Sequence, residues 1–256
     1  LADAKAILTP LLASGAIEIT IVGDVDEGAA LSAVASTFGA LSSRPAAPDP
    51  RSEARAAIFP AGKPTALLEH KARADQSIAT IFWPMRDYGD GAEVRALRIL
   101  EGVFQLRLTE IIREERGATY SPGTSWFAST VSPGYGYLGA FVEVKPDEIE
   151  DTIRIVEALA AELAAGKIDE DLFVRARTPL LAEVTRNLRD NGFWIGSLTG
   201  ISHDPQRLVS LRNVKQHYEG ATLEQIRTLA ARYFVPEKAF EVRVVPGPEA
   251  TAAPAQ

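Results

Sequence analysis

The stretch LRLTEIIREERGATYSPGTSW, residues 106–126, decides the fold and supplies its candidate site. Its pattern predicts the last turns of an amphipathic helix, a glycine stop at Gly117 and a strand that begins with Tyr120. Arg113 and Tyr120 are seven residues apart, one on each side of this helix-to-strand corner. Their polar ends can therefore face one site, and the corner is a candidate functional site.

The segment before the corner has the pattern of a long helix. Asp90 is a typical N-cap, and the charged side chains that follow lie mostly off the apolar stripe, as on a solvent-exposed helix face. Apolar residues recur at spacings of three and four, which is the repeat of one helix face: Val94, Leu97, Leu100, Phe104, Leu108 and Ile111.

Further elements are predicted upstream of this helix. The patterns indicate a helix over residues 3–14, a strand over 17–22, and a helix that starts in the acidic turn at 24–27 and stops at Gly39. A proline-rich connector follows over residues 41–53. Three strand-like segments come next, which we expect to be antiparallel strands or a hairpin pair: AAIFP, PTALLEH and QSIATIFWP.

Downstream of the corner, two strand-like segments, 118–130 and 134–144, are close enough to form a hairpin. We then expect a helix from Pro146, a helix from Asp169 that kinks or breaks at Pro179, shorter helices over 192–201, 205–218 and 222–233, and a last strand, AFEVRVV. Strands and helices interspersed in this order predict an α+β fold, in which a layer of helices covers a largely antiparallel sheet. We expect an N-terminal helix or linker over 1–16, one α+β domain over 17–245 and a disordered tail over 246–256.

Composition excludes several classes of function. The chain has 256 residues, is 46% hydrophobic and carries a formal net charge of −7, which argues against a nucleic-acid surface. It has no cysteine, so disulfides, thiolate zinc sites and cysteine nucleophiles are excluded. No run reaches the roughly 18 apolar residues of a membrane span. Because the first residue is Leu1 rather than methionine, we expect a fragment or a processed form whose targeting segment lies elsewhere.

No complete catalytic set is apparent from the sequence. The histidines are His70, His203 and His217, and none lies in an H-x-x-E-H or H-E-x-x-H motif that would bring two imidazoles to one metal. The G-x-S-x-G motif of a serine nucleophile is absent as well. We therefore expect no cofactor or metal bound by this chain.

The corner segment also resembles a segment of a known protein family. RLTEIIREERGATYS resembles the segment L-x-x-x-[LI]-R-E-x-x-G-x-x-Y-S of the pitrilysin-type zinc peptidases, which include insulin-degrading enzyme and mitochondrial processing peptidase. Weaker matches lie around it in the family's order: IEITIVGDVDEGAALSAVASTFGAL, the segment 147–188 and TLEQIRTLAARYFVP. Together they cover about residues 17–245.

The resemblance implies a function. In that family, repeated α+β domains close around a peptide substrate; one domain binds zinc through H-x-x-E-H, and another supplies an arginine and a tyrosine that reach the substrate. Arg113 and Tyr120 match that pair in identity and spacing. The chain lacks the zinc motif, so the resemblance implies a C-terminal, non-metal domain that is inactive alone. Its partners would be a zinc-bearing domain or subunit and a peptide, in a bacterial periplasm.

Two alternatives stay open at this point. The family contains members that lost their chemistry and kept the fold, so the chain can be a non-catalytic scaffold or binding member. The two candidate residues also have ordinary structural roles available, since Arg113 can cap helix carbonyls and Tyr120 can be an interfacial strand residue.

Overall fold

The fold is built on one five-stranded sheet in the computed structural model, which describes residues 1–46, 57–116 and 122–251. The strands lie side by side in the order β1-β5-β2-β4-β3. Only the pair β1–β5 is parallel among them, so the predicted α+β class with a largely antiparallel sheet is confirmed. In chain order the strands are β1 (Thr65–His70), β2 (Ser77–Met85), β3 (Gly123–Ala128), β4 (Gly136–Val144) and β5 (Phe240–Pro246).

The described helices include α3, which is the long helix predicted before the corner. They are α1 (Ala2–Ser14), α2 (Glu27–Ser36), α3 (Gly91–Arg116), α4 (Ile149–Ala164), α5 (Glu170–Asn187), α6 (Asn191–Leu198), α7 (Pro205–Arg212), α8 (Val214–Glu219) and α9 (Leu223–Tyr233). Asp90 caps α3 as predicted, because its carboxylate accepts hydrogen bonds from the N–H groups of Ala92 and Glu93. None of the described helices is long and apolar enough to cross a membrane.

The helix predicted to kink or break at Pro179 runs unbroken as α5. Proline removes one backbone hydrogen bond, here the one to the carbonyl of Arg175 four residues earlier. Both residues are exposed, so water can satisfy that carbonyl. The predicted interruption is therefore wrong for a solvent-facing proline in a helix whose other face is anchored in the core.

The core lies between one face of the sheet and the helices α3, α4 and α9. Trp83 of β2, Phe104 of α3 and Phe234 after α9 form its aromatic centre, with ring centroids 5.0 to 5.9 Å apart. The predicted stripe of α3 is buried as far as Leu108, but Ile112 is the next buried residue and Ile111 is only half-buried. A spacing of four residues continues the buried face better than a spacing of three at this point.

Strand pairing differs from the sequence-based prediction in three places. β1 and β2 are not hairpin neighbours, since β5 lies between them. Residues 57–60, within the predicted strand AAIFP, are not a strand, and neither are residues 17–22. Apolar alternation produces a strand only where a partner lies alongside to accept and donate backbone hydrogen bonds, and partners are chosen by the tertiary fold.

At the other end of the chain, backbone hydrogen bonds with Ala72 and Ala74 hold Thr251, inside the predicted tail.

Candidate functional site

Arg113 lies in the last turn of α3 with its side chain exposed to solvent. The neighbouring Ile112 is fully buried, so this end of the helix is anchored in the core. Within the part of the chain that the structure describes, Arg113 has no ion-pair partner. The predicted stop at Gly117 and the second site residue, Tyr120, lie outside the described residues. The approach of Tyr120 to Arg113 therefore stays a prediction.

Immediately after the corner, the side chain of Gln105 holds the chain against α3. Its oxygen accepts a hydrogen bond from the backbone N–H of Thr124 at 2.7 Å. Its amide nitrogen donates to the carbonyl of Pro122 at 3.2 Å and to the hydroxyl of Thr109 at 2.8 Å. One amide thus satisfies two backbone groups of the edge strand and of the residue before it, which fixes where the chain leaves the corner.

Glu101, one turn earlier on α3, adds a second attachment to the same strand. Its carboxylate accepts a hydrogen bond from the Thr124 hydroxyl at 2.5 Å and pairs with Arg98. The residue is only 7% exposed, and a buried carboxylate is stable where a cation and hydrogen-bond donors accompany it. Arg98 in turn lies over the ring of Trp126, 5.6 Å from its centroid. These contacts fasten one face of β3 to α3 near the start of the strand.

The roles of these positioning residues were not predicted from the sequence. A signal was present: Glu101, Gln105 and Thr109 are polar residues at spacings of four, which places them on one line along a helix whose adjacent line is apolar. Polar side chains on such a line are usually exposed, so only the structure shows that β3 covers them.

Ion pairs tie the last third of α3 to the neighbouring helix. Glu110 accepts hydrogen bonds from Arg107 at 2.9 Å and from Arg175 of α5 at 2.9 Å. Partial burial favours the neutral acid, but the two arginines outweigh it and lower the pKa of the Glu110 carboxyl. The carboxylate is therefore charged at neutral pH and helps to hold the segment that ends at Arg113.

The sheet face opposite the core is rich in aromatic side chains. Tyr137 of β4 packs against Phe82 of β2 and Phe127 of β3, with ring centroids 5.3 and 5.7 Å away. Phe127 and Phe141 are more than 40% exposed. Among the described residues, no helix covers this face, so it offers an apolar surface that continues from the edge strand beside the corner.

The described residues contain no group of three or more histidine, aspartate and glutamate side chains that could hold a metal ion. His70 Nε2 lies 2.8 Å from the carbonyl of Gln76 within the β1–β2 connection. His217 is in a different place, where burial, followed by the charge of Arg95, lowers the pKa of its imidazole. These two histidines are not brought together.

A family model for the inactive domain of peptidase M16 matches residues 9–180, which include α3, the corner and β3. The chain belongs to the peptidase M16 inactive-domain family. The resemblance to the C-terminal, non-metal domain of pitrilysin-type peptidases is thereby confirmed. No curated protein matches the chain.

Solved structures show the same fold as this M16 domain. The peptidase M16 inactive domain from Pseudomonas fluorescens superposes with a TM-score of 0.70 at 19% identity, over 90% of this chain and 54% of that one. A protease from Helicobacter pylori gives a TM-score of 0.73 at 16% identity, over 88% and 54% of the two chains. The periplasmic protease PqqL from Escherichia coli gives 0.64 at 13% identity, over 88% and 25%. The chain spans about half the length of the first two.

Proposed function

We propose that this M16 domain is the non-metal component of a zinc metallopeptidase, in which it positions a peptide substrate and stabilises the oxyanion for a zinc site carried by another domain or subunit. The observation that carries the proposal is the pair Arg113 and Tyr120, at the family's spacing, on a corner that begins at the anchored end of α3. The described residues contain no group of three or more side chains that could hold a zinc ion, and in this proposal the partner binds the metal.

The chemistry available to this chain is hydrogen bonding. When water attacks a peptide bond, negative charge develops on the carbonyl oxygen. The Tyr120 hydroxyl can donate to that oxygen, an interaction that is stronger in the transition state than in the ground state. The Arg113 guanidinium can donate to other carbonyl oxygens of the substrate and hold the peptide in register.

The surroundings support these roles. Both ends of the corner are fixed to α3, by the buried Ile112 before it and by the Gln105 contacts after it. A donor contributes to catalysis only when its position is set before the reaction, because reorganisation then costs nothing in the transition state. The aromatic open face of the sheet adds an apolar surface on which peptide side chains can lie.

The test requires the zinc-bearing partner, so Tyr120→Phe is introduced into the complete peptidase. Loss of one oxyanion donor is expected to lower kcat by about 100- to 1,000-fold. Because the ground-state complex gains less from this donor, KM should change little. Arg113→Gln, in contrast, should raise KM as well, because it removes contacts made by bound substrate.

Tyr88→Phe is the matched control, since Tyr88 precedes the first residue of α3, which lies about 33 Å from Arg113 at 1.5 Å per residue. It removes a phenol hydroxyl and should leave turnover unchanged. Wild-type turnover in Tyr120→Phe would rule out the catalytic role.

A non-catalytic scaffold is the second candidate, and the description of the matching family as an inactive domain favours it. The two candidates differ in the partner. If the natural protein and its partner subunits contain no H-x-x-E-H motif, zinc chemistry is absent and the scaffold role holds.

We also propose a bacterial periplasmic location, which the likeness to the periplasmic protease PqqL supports. Fractionation of the producing cells tests it: recovery of the protein with periplasmic markers is expected, and recovery with cytoplasmic markers would contradict it.

A further inference from the structure

The first part of the chain exposes apolar side chains that the rest of the protein does not use. Helix α1 has no buried residue, although it carries leucines and an isoleucine. In the segment AIEITIV, residues 16–22, the alternating Ile17, Ile19 and Ile21 are 44%, 39% and 48% exposed. Isolated exposed apolar residues are normal, but a helix and an alternating segment exposed together indicate a missing partner.

The same segment has a counterpart near the other end of the chain. AIEITIV aligns without gaps with AFEVRVV, residues 239–245: the alanine, the glutamate and the last valine are identical. At three more positions one large apolar residue replaces another, and only Thr20 and Arg243 differ in character. Each segment follows a helix closely, α1 in one case and α9 in the other. The chain therefore contains two copies of one helix-and-strand pattern.

The second copy shows which structure this pattern forms. Its strand is β5, which lies inside the sheet between β1 and β2 and is hydrogen-bonded on both sides. Glu241 is 6% exposed and is paired with Arg243 at 2.9 Å and Lys63 at 3.4 Å. Glu18, at the equivalent position of the first copy, accepts a hydrogen bond from the Ser202 backbone at 3.3 Å on the exposed surface. The sequence suited to an inner strand is thus unburied in the first copy.

The sheet of this domain already has β5 in that position. We infer that α1 and residues 16–22 belong to a second α+β domain. Residues 16–22 form an inner strand of its sheet, and α1 packs on that sheet in the position that α9 has in this domain. The structures from Pseudomonas fluorescens and Helicobacter pylori have room for such a domain, since this chain matches only 54% of each. The inference does not depend on the proposed catalysis, because a scaffold would need the same docking.

This docking moves the domain boundary. Sequence patterns predict one domain over residues 17–245. In the inferred arrangement, residues 1–22 belong to the sheet of the second domain, and the residues that follow them, including α2, connect the two domains. The partner surface has a defined chemistry: two strands with free backbone N–H and C=O groups and an apolar layer that accepts the isoleucines. It can lie on the same polypeptide or on a partner subunit.

Hydrogen exchange compares residues 16–22 in the complete natural protein and in the 256-residue chain alone. Amides of an inner strand are protected, so exchange in the complete protein should be on the order of a hundredfold slower than in the isolated chain. Protection that survives dilution places the second domain on the same polypeptide, and protection lost on dilution places it on a subunit. Equal exchange in both samples would overturn the inference.

Two substitutions at equivalent positions sharpen the test. Ile19→Asp should lower the thermal unfolding midpoint of the complete protein and leave that of the isolated chain unchanged, whereas Val242→Asp should lower both. A drop in the isolated chain with Ile19→Asp would show that the segment pairs within this domain and would overturn the inference. Protection that appears in the isolated chain only at high concentration, together with dimerisation, would assign the segment to a second copy and would overturn it too.

Discussion

The backbone N–H of Thr124 donates to the side-chain oxygen of Gln105 at 2.7 Å, which joins the edge strand β3 to the middle of α3. The same side chain binds the carbonyl of Pro122, the first described residue after the corner. The helix that ends just after Arg113 therefore also determines where the chain re-enters the sheet. A short corner with both ends attached to one rigid helix is well suited to present polar side chains in fixed positions.

Gln105→Met is predicted to weaken both stability and the site. Methionine matches glutamine in length but leaves the N–H of Thr124 and the carbonyl of Pro122 without their partner. An unsatisfied buried group costs about 1–3 kcal/mol in the free energy of unfolding, and because these groups are only partly buried we expect a cost at the lower end of that range. Urea unfolding measures this cost, and Gln216→Met at an exposed position is the control. If the proposed function holds, kcat measured with the zinc-bearing partner should fall as well. Equal unfolding curves for the two variants would show that the Gln105 hydrogen bonds contribute nothing to stability.

Gly136→Ala is predicted to destabilise the β3–β4 hairpin. A Cβ at this position would lie 2.2 Å from the backbone oxygen of Arg86 and 2.7 Å from that of Phe127. Backbone atoms of the sheet cannot move aside easily, and overpacking of this kind costs about 1–3 kcal/mol. Gly196→Ala is the contrasting variant, because its Cβ meets nothing within 4 Å in helix α6.

In that exposed helix the alanine should stabilise by up to about 1 kcal/mol, through its higher helix propensity. Thermal unfolding of the two variants should therefore shift in opposite directions. A rise in the midpoint for Gly136→Ala would contradict the close packing at the start of β4.

Tyr233 is predicted to make stability fall at alkaline pH. Burial first, and then the hydrogen bond to Glu93 at 2.6 Å, raise the pKa of the Tyr233 hydroxyl to about 12 from its usual value of 10.0. Below pH 10 the residue is protonated in both folded and unfolded chains, and its contribution is fully present. Between pH 10 and about 12 only the unfolded chain loses the proton, so unfolding becomes easier as pH rises.

Tyr233→Phe should flatten this alkaline decline in the free energy of unfolding. Tyr137→Phe, on the open face of the sheet, is the control and should leave the decline in place. Denaturant unfolding at a series of pH values gives the comparison. Identical profiles for Tyr233→Phe and wild type would show that other groups cause the loss.

Phe104→Ala and Phe141→Ala are predicted to separate the two faces of the sheet. Phe104 is fully buried against Trp83 and Phe234, so its truncation should cost about 3–5 kcal/mol. Phe141 is 42% exposed on the open face, where a substitution usually changes stability by about 0.5 kcal/mol. Similar losses for both would mean that the open face is covered within this chain.

Local patterns were enough to predict much of the fold. The three- and four-residue spacing of α3 and the Asp90 cap were identified because a helix satisfies its backbone through neighbours in sequence. Contacts between residues far apart in the sequence could not be predicted from local patterns. The contacts of Glu101 and Gln105 with β3 join residues 19 to 23 positions apart, and nothing in the α3 sequence indicates which strand will lie over it.

The sequence by itself determined the long helix α3, the α+β class and the identity and spacing of Arg113 and Tyr120, because these follow from residue type and local periodicity. Only the tertiary structure decided that β5 separates β1 from β2, and that AFEVRVV becomes a strand while AIEITIV does not. The physical reason is that a strand satisfies its backbone hydrogen bonds through other strands. Two segments of similar pattern therefore differ in structure because one has partners in this chain, and the other, on our inference, has them in a second domain.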